Sequence, residues 1–200
     1  TLGRHPQNYS VAHERRRERW RGRRALTDNY LQLDEAPLLI GTGTHYVNIY
    51  VGTPPQRVSV IVDTGSHYTA FPCTGCGGCG THTDPYYEIS RSSTASQIRC
   101  GTPGCSCSGG KCTFGQSYTE GSSWNAYKVQ DKLWIGFPDD QADSPLAINS
   151  CDFEFGCQTH ETGLFTSQVS NGIMGFANTG NTLVPQMVAK GVLQHKVFAM

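Results

Sequence analysis

Short runs rich in apolar and β-branched residues, separated by turn residues, dominate much of the chain. Residues 46–51 and 57–62 are two such runs, and residues 52–56 between them read Gly-Thr-Pro-Pro-Gln. This pattern predicts a β-hairpin. The second run ends in Val60-Ile61-Val62, which is continuously apolar, as in a strand buried on both faces. Asp63 follows directly and ends the strand.

The same pattern continues along the chain. Residues 38–40 are a candidate first strand, and residues 112–131 predict a second hairpin with residues 118–122 at its tip. Strands and turns alternate over residues 131–137, 147–155 and 172–176. Helix signals occur at residues 183–190, with Pro185 in the first turn and Gly191 after the end.

Composition supports the same architecture. The 200 residues include 23 Gly and 10 Pro, which punctuate short strands with turns. The sequence therefore predicts a mostly β protein with few short helices.

Basic residues concentrate at the start of the chain. The net charge is zero, yet residues 1–40 contain 8 Arg against 5 acidic residues. The charged run at residues 14–24 has no apolar stripe, so it predicts a solvated helix, a disordered tail or a prosegment. We expect residues 1–43 to form a basic, prosegment-like arm and residues 44–200 a folded lobe. This charge distribution does not favour a nucleic-acid partner.

Cysteines cluster in one region, which we define as a Cys-rich insert at residues 73–112. Seven of the nine cysteines lie there, a density typical of disulfide-bonded proteins in oxidising compartments. The spacing Cys73-x2-Cys76-x2-Cys79-x2-His82 also fits zinc, but disulfides are favoured and no metal or other cofactor is predicted. Cys151 and Cys157 either pair with each other, or one reaches a second lobe. The disulfide candidates are Cys73, Cys76, Cys79, Cys100, Cys105, Cys107, Cys112, Cys151 and Cys157.

The run Asp63-Thr64-Gly65-Ser66 carries the candidate chemistry. Peptide hydrolysis without a metal needs one group that takes a proton from water and another that protonates the amide. Two carboxylates sharing one proton do both. Gly65 permits close backbone approach, Ser66 is expected to donate to the outer oxygen of Asp63, and Thr64 to tie its loop to a matching one. The alternative is an ordinary turn aspartate at a strand end.

Over residues 44–200 the chain resembles the N-terminal lobe of pepsin-like aspartic proteases. The motifs that carry the resemblance are residues 46–56, Asp63-Thr64-Gly65-Ser66, Tyr118 with Glu120-Gly121-Ser122, and Gly172-Ile173-Met174-Gly175. The resemblance implies that Asp63 is catalytic and that residues 118–122 form a substrate-covering flap, with Tyr118, Glu120 and Gly121 binding substrate. It also implies that residues 172–175 thread behind the active site.

Residues 71–80 and 116–122 are similar to the plasmepsin V type of this family. That similarity implies cleavage after Arg-x-Leu in secreted proteins, with Glu120 pairing with the arginine. The alternative is an exposed hairpin glutamate without a role. Arg24-Ala25-Leu26 in the arm is then a candidate self-processing site.

Two departures from the family pattern matter. Ala70 stands where pepsin-like enzymes usually have a Trp that supports the flap tyrosine, so Tyr118 is expected to lack that support. A single Asp-Thr-Gly motif is present, whereas the family's second catalytic Asp lies in a C-terminal lobe. We therefore expect the second lobe to be absent from this chain, which would be an inactive half of an enzyme.

The resulting prediction is an aspartic endopeptidase acting on protein or peptide substrates in the secretory pathway (endoplasmic reticulum or Golgi lumen) or outside the cell. Its full-length form is expected to be monomeric. A membrane anchor is expected only outside this chain, which has no apolar run of about 18 residues. The alternatives are a catalytically inactive pepsin-fold binding or inhibitor module and, less favoured, a retroviral-type homodimer.

Overall fold

The structure is a computed structural model that describes residues 36–41, 43–135 and 150–200. All of these residues belong to the unit Leu33–Met200. The predicted arm, with its Arg24-Ala25-Leu26 sequence, therefore falls almost entirely outside the described residues, and its boundary at residue 43 stays a prediction.

The described part of the chain is built from ten β-strands with few short helices, which confirms the predicted mostly β class. The strands are β1 (Leu39–Ile40), β2 (His45–Val51), β3 (Gln56–Asp63), β4 (Thr69–Pro72), β5 (Ser96–Gln97), β6 (Ser106–Ser108), β7 (Lys111–Ser117), β8 (Ser123–Ile135), β9 (Cys151–Thr162) and β10 (Gly172–Gly175). Two 3-10 helices span Ile89–Arg91 and Gly163–Thr166, and helix α1 spans Leu183–Ala189.

The strands form one sheet in the order β1-β2-β3-β10-β4-β9-β8-β7-β6, with β5 added against β8 and a further pairing of β2 with β8. Strands β2 and β3 form the predicted hairpin, with Val51 opposite Gln56. Strands β7 and β8 form the second one, with Ser117 opposite Ser123. Both confirmed hairpins follow from turn chemistry between β-rich runs.

The core lies between the inward faces of these strands. Its main cluster includes Val58, Val60, Phe71, Phe155 and Met174. The fully buried stretch of β3 is Val58 to Val60, whereas Ile61 and Val62 are half-buried, because the strand emerges towards Asp63.

Helix α1 confirms the predicted helix to within one residue. Its Leu183 and Met187 are buried in the core. Gly191 has φ 75°, a left-handed conformation that glycine adopts without steric cost, and its N–H donates to the Val188 carbonyl at 3.0 Å. The helix therefore ends where the sequence predicts.

Eight of the nine cysteines form four disulfides: Cys73–Cys157, Cys76–Cys79, Cys100–Cys107 and Cys105–Cys112. The zinc alternative is therefore wrong for this structure, because a zinc site needs thiolates and these sulfurs are already bonded. The alternative pairing of Cys151 with Cys157 is also wrong. Cys151 is buried and belongs to none of these four bonds.

Four disulfides fit an oxidising compartment. Within the described ranges, no helix is long and apolar enough to cross a membrane.

Candidate active site

The Asp63 carboxylate stands at the end of β3, half-buried, where the strand turns out of the core. The Gly65 N–H donates to Asp63 Oδ1 at 2.9 Å, which orients the carboxylate. A side chain at position 65 would place its Cβ 3.2 Å from that same oxygen. Glycine therefore keeps this face of the carboxylate clear.

Strand β10 holds the Asp63 turn from behind. It lies parallel to β3 with Gly175 opposite Asp63, and antiparallel to β4. The Phe176 N–H donates to the Asp63 carbonyl at 2.7 Å and the Ala177 N–H donates to the Ser66 carbonyl at 3.0 Å. The backbone of the turn is thus fixed at both ends, which limits how far the carboxylate can move.

The two glycines of β10 permit this close approach. A Cβ at position 172 would lie 2.1 Å from the Ala70 carbonyl oxygen, and one at position 175 would lie 2.6 Å from the Ser66 carbonyl oxygen. Between them, Ile173 and Met174 are buried in two different core clusters. The Gly-Ile-Met-Gly sequence therefore has a structural reason. The two glycines let β10 fit tightly behind the Asp63 turn, and Ile173 and Met174 anchor it in the two core clusters.

The remaining residues of the motif differ in their surroundings. Thr64 is exposed, so its role in tying this loop to another stays a prediction. The Ser66 hydroxyl is buried and has no hydrogen-bond partner among the described residues. The predicted hydrogen bond from Ser66 to Asp63 is therefore wrong for this structure, because the hydroxyl turns inward with the buried side of the turn.

The flap, defined as the tip at residues 118–122 between β7 and β8, is a tight turn. The Tyr118 N–H donates to the Ser122 carbonyl at 2.9 Å and the Gly121 N–H to the Tyr118 carbonyl at 3.0 Å. Gly121 has φ 95°, which favours glycine. Glu120 is exposed at the tip. The turn therefore presents Glu120 to solvent while Tyr118 points back towards the lobe.

Tyr118 is supported by a tryptophan that the sequence reading missed. The Trp124 indole N–H donates to the Tyr118 hydroxyl at 3.3 Å, and Phe165 packs against the phenol with ring centroids 5.3 Å apart. The expectation that Tyr118 lacks support is therefore wrong.

The physical reason lies in the small residues behind the flap. Ala70, Ala126 and Gly156 adjoin one another, since a Cβ on Gly156 would lie 3.0 Å from the Cβ of both alanines. Trp124 packs with the two alanines in one buried cluster and is only 1% exposed. The sequence did contain a signal for this contact. Trp124 is a bulky aromatic residue at an inward position of β8, six residues after Tyr118.

The Tyr118 phenol lies in the electrostatic field of the candidate site. Burial raises the pKa of Tyr118, hydrogen bonding with Trp124 opposes that rise, and the charges of Asp63 and Glu120 add to it. Tyr118 therefore stays neutral at physiological pH, as a hydrogen-bonding group beside the Asp63 carboxylate.

The 3-10 helix Gly163–Thr166 supports the other side of the flap. The Leu164 N–H donates to Ser122 Oγ at 2.9 Å, and a Cβ on Gly163 would lie 2.5 Å from that oxygen. The Leu164 side chain is 64% exposed beside the flap tip. Sequence patterns did not single out this helix as part of the flap support, because its contacts join residues about 40 positions apart.

We predict that Trp124 and Tyr118 stabilise the fold jointly. Replacing Trp124 with Phe keeps an aromatic ring and removes the indole donor. In a double-mutant cycle with Tyr118→Phe, the coupling in the free energy of unfolding should be about 1 kcal/mol, the net value of a typical hydrogen bond. Urea denaturation of the four variants measures it.

Trp134 offers a matched control for that cycle. It lies on the same strand, is 4% exposed and stacks on Tyr50 at 5.6 Å between ring centroids. Trp134→Phe combined with Tyr118→Phe should be additive. Equal coupling for Trp134 and Trp124 would contradict a direct bond from Trp124 to Tyr118.

The chemistry that this arrangement supports is acid–base catalysis by a carboxylate. Among the described residues, no group of three or more His, Cys, Asp or Glu side chains is placed to hold a metal ion. Asp63 is oriented by one N–H, fixed through its backbone and partly shielded from water, which suits a carboxylate that exchanges protons with a water molecule.

A mostly β lobe with an Asp-Thr-Gly-Ser turn, a glycine-bounded strand behind it and a tyrosine flap defines the N-terminal lobe of the pepsin-like proteins. The chain belongs to the family described as "Xylanase inhibitor N-terminal", whose model matches residues 45–200.

Several relatives are similar over the same region. Aspartic protease 5 of Toxoplasma gondii is 40% identical over 151 residues, covering 66% of this chain and 15% of that protein. Plasmepsin V of Plasmodium falciparum is 35% identical over 150 residues, covering 72% of this chain and 24% of that protein. Aspartyl protease AED1 of Arabidopsis thaliana is 29% identical over 148 residues, covering 72% and 29%. The matched region thus spans about a quarter or less of the length of the first two relatives.

Proposed function

We propose that the chain supplies one catalytic carboxylate, Asp63, to an aspartic endopeptidase. The observation that carries the proposal is the geometry of the turn: the carboxylate leaves a buried strand, receives the Gly65 N–H at 2.9 Å and is held from behind by β10. A chance turn aspartate needs no such backbone anchoring. The names of two similar proteins, Aspartic protease 5 and Aspartyl protease AED1, support the same class.

Hydrolysis by this chemistry uses two carboxylates. One of them, ionised, accepts a proton from the attacking water, while the other, protonated, donates to the substrate carbonyl, and the leaving amine is protonated as the C–N bond breaks. Asp63 is one member of this pair, and the second comes from outside these 200 residues. Tyr118, with its hydroxyl held by Trp124, covers the bound peptide.

The second candidate function is a binding or inhibitor module without catalysis. The observation that favours it is the family description, which refers to xylanase inhibitors. The two candidates differ in a direct measurement on the complete protein that carries this chain. The protease cleaves a peptide substrate at a defined bond, whereas the inhibitor module binds its target and leaves it intact.

The substrates proposed for the protease are proteins or peptides in the secretory pathway or outside the cell. The four disulfides support an oxidising compartment. The similarity at the flap supports cleavage after Arg-x-Leu, because Glu120 is exposed at the tip, where a carboxylate meets a substrate arginine as the flap closes.

Substrate choice gives a prediction for Glu120. In the complete protein, Glu120→Gln should lower kcat/KM for an Arg-x-Leu peptide about tenfold, since hydrogen bonds to charged groups contribute about 1.5 kcal/mol or more. A peptide with citrulline in place of the arginine should be cleaved equally by both forms. Steady-state kinetics on the two peptides measures the difference.

A suitable control is Glu154→Gln. Glu154 is a glutamate on β9 whose side chain is 45% exposed and which pairs with Lys128 at 3.7 Å. Glu154→Gln should leave the ratio of kcat/KM for the arginine peptide to kcat/KM for the citrulline peptide unchanged. An equal loss on the arginine and citrulline peptides in Glu120→Gln would show that Glu120 does not select arginine, while cleavage itself would still support the protease.

A further inference from the structure

A buried ionisable pair lies outside the candidate active site. The side chains of His82, in the Cys-rich insert, and Glu161, on β9, have no exposed surface, and His82 Nε2 lies 3.5 Å from Glu161 Oε2. Neither Glu161 oxygen has a hydrogen-bond partner among the described residues. Burying a carboxylate is costly without compensation, so His82 is the group that offsets its charge.

The surroundings of the His82 ring favour its protonated form. Nδ1 of His82 lies 3.0 Å from the Gln168 carbonyl oxygen, and Nε2 lies 2.5 Å from the Cys79 carbonyl oxygen. Carbonyl oxygens only accept hydrogen bonds, whereas a neutral imidazole has a single N–H. A neutral ring would therefore place a lone pair against one of these oxygens. Both carbonyl oxygens accept a hydrogen bond only when both ring nitrogens carry a proton, so these contacts favour the imidazolium cation.

This pair joins the start of the Cys-rich insert to the elements beside the flap. The Gly77 N–H donates to the Thr159 carbonyl and the Thr83 N–H to the Val169 carbonyl, both at 3.1 Å. Glu161 is opposite Trp124 in the pairing of β9 with β8. The loop that carries His82 therefore packs on β9, the strand that pairs with β8 at Trp124, and Trp124 supports the flap.

We propose that His82 and Glu161 form a proton-dependent switch that fastens residues 77–83 to β9 and to the segment after the 3-10 helix Gly163–Thr166, beyond the point where the Cys73–Cys157 disulfide already ties the loop to β9. The loop is held when His82 is protonated and loosens when His82 loses its proton.

The other ionisable groups around the pair do not replace it. Tyr86 faces the His82 ring with centroids 6.2 Å apart, and burial, then the Glu161 charge, raises its pKa, so it stays neutral. His160 is exposed, contacts the Gly77 carbonyl through Nδ1 at 3.0 Å, and its charge acts weakly on Glu161. The Cys76 and Cys79 sulfurs form a disulfide and do not titrate.

The direction of the pH effect follows from the electrostatics. Burial lowers the pKa of His82, but the nearby Glu161 carboxylate and the two carbonyl oxygens together raise it above 6.5. Burial raises the pKa of Glu161, and His82 only partly opposes that rise. The pKa values of His82 and Glu161 are therefore both higher when the loop is attached than when it is detached. The attachment is therefore complete below the ordinary histidine pKa and is lost as the pH rises through the raised one.

Amide hydrogen exchange of the chain tests the proposal without any peptidase assay, so its failure is distinguishable from failure of the proposed function. Protection of the Gly77 and Thr83 amides, corrected for intrinsic exchange, should fall about tenfold per pH unit between the ordinary and the raised pKa of His82, the linkage of one proton. Nitrogen NMR should show protons on both His82 ring nitrogens at pH values below the ordinary histidine pKa.

Three variants sharpen the test. His82→Gln should abolish the pH dependence, and the matched control His160→Gln, on the same loop contact, should keep it. The double variant His82→Gln with Glu161→Gln leaves a neutral amide pair, so its protection should be independent of pH and higher than in Glu161→Gln alone. A His82 ring nitrogen without a proton below the ordinary histidine pKa, or a pH dependence that survives in His82→Gln, would overturn the proposal.

Discussion

Replacing Asp63 with Asn in the complete protein that carries this chain should abolish peptide cleavage. The amide keeps the shape of the side chain and still accepts from the Gly65 N–H, but it neither takes a proton from water nor shares one with a second carboxylate. Removing such an acid–base group lowers kcat by on the order of 10³-fold. Cleavage of a peptide, followed by chromatography of the products, measures the loss.

The control for this experiment is Asp152→Asn. Asp152 lies on β9, its side chain is 41% exposed and it pairs with Lys132 at 2.7 Å. The same change of a carboxylate to an amide there should leave cleavage intact. Normal cleavage by Asp63→Asn, in a protein that unfolds like the parent, would end the assignment of Asp63 as a catalytic group.

Replacing Gly175 with Ala should lower the free energy of unfolding by about 3 kcal/mol, at the upper end of the cost of overpacking a core. The new Cβ would lie 2.6 Å from the Ser66 carbonyl oxygen and 2.7 Å from the His67 nitrogen. Both are backbone atoms, so the Asp63 turn must shift to make room. Urea denaturation followed by circular dichroism measures the change.

Gly180→Ala is the matched control, since a Cβ at that position meets nothing within 4 Å. It should change stability by only a few tenths of a kcal/mol, as is usual for exposed sites. If Gly175→Ala were as stable as Gly180→Ala, the close fit of β10 behind the Asp63 turn would be contradicted.

Much of the fold was predictable from local sequence. The hairpins at residues 52–56 and 118–122 and the end of α1 at Gly191 all follow from turn chemistry and periodicity, which act between neighbouring residues. The motif at Asp63 was equally visible, because its four residues are contiguous. Its catalytic role, together with those of Tyr118 and Glu120, stays a proposal.

The misses share a cause, which is that they depend on residues far apart in the chain. Cys73 pairs with Cys157, 84 positions away, because β4 and β9 are parallel neighbours with Phe71 opposite Cys157. No spacing rule encodes that pairing, so the sequence favoured disulfides over zinc at residues 73–82 but left their partners open.

By itself, the sequence determined the class of fold, the hairpins and the position of the candidate carboxylate. Only the tertiary structure decided what surrounds them. It placed Trp124 beside Tyr118, turned the Ser66 hydroxyl inward and buried His82 against Glu161. The physical reason is that strand pattern and turn chemistry are local, whereas such contacts depend on strand register and on the space that small residues such as Ala70 leave in the core.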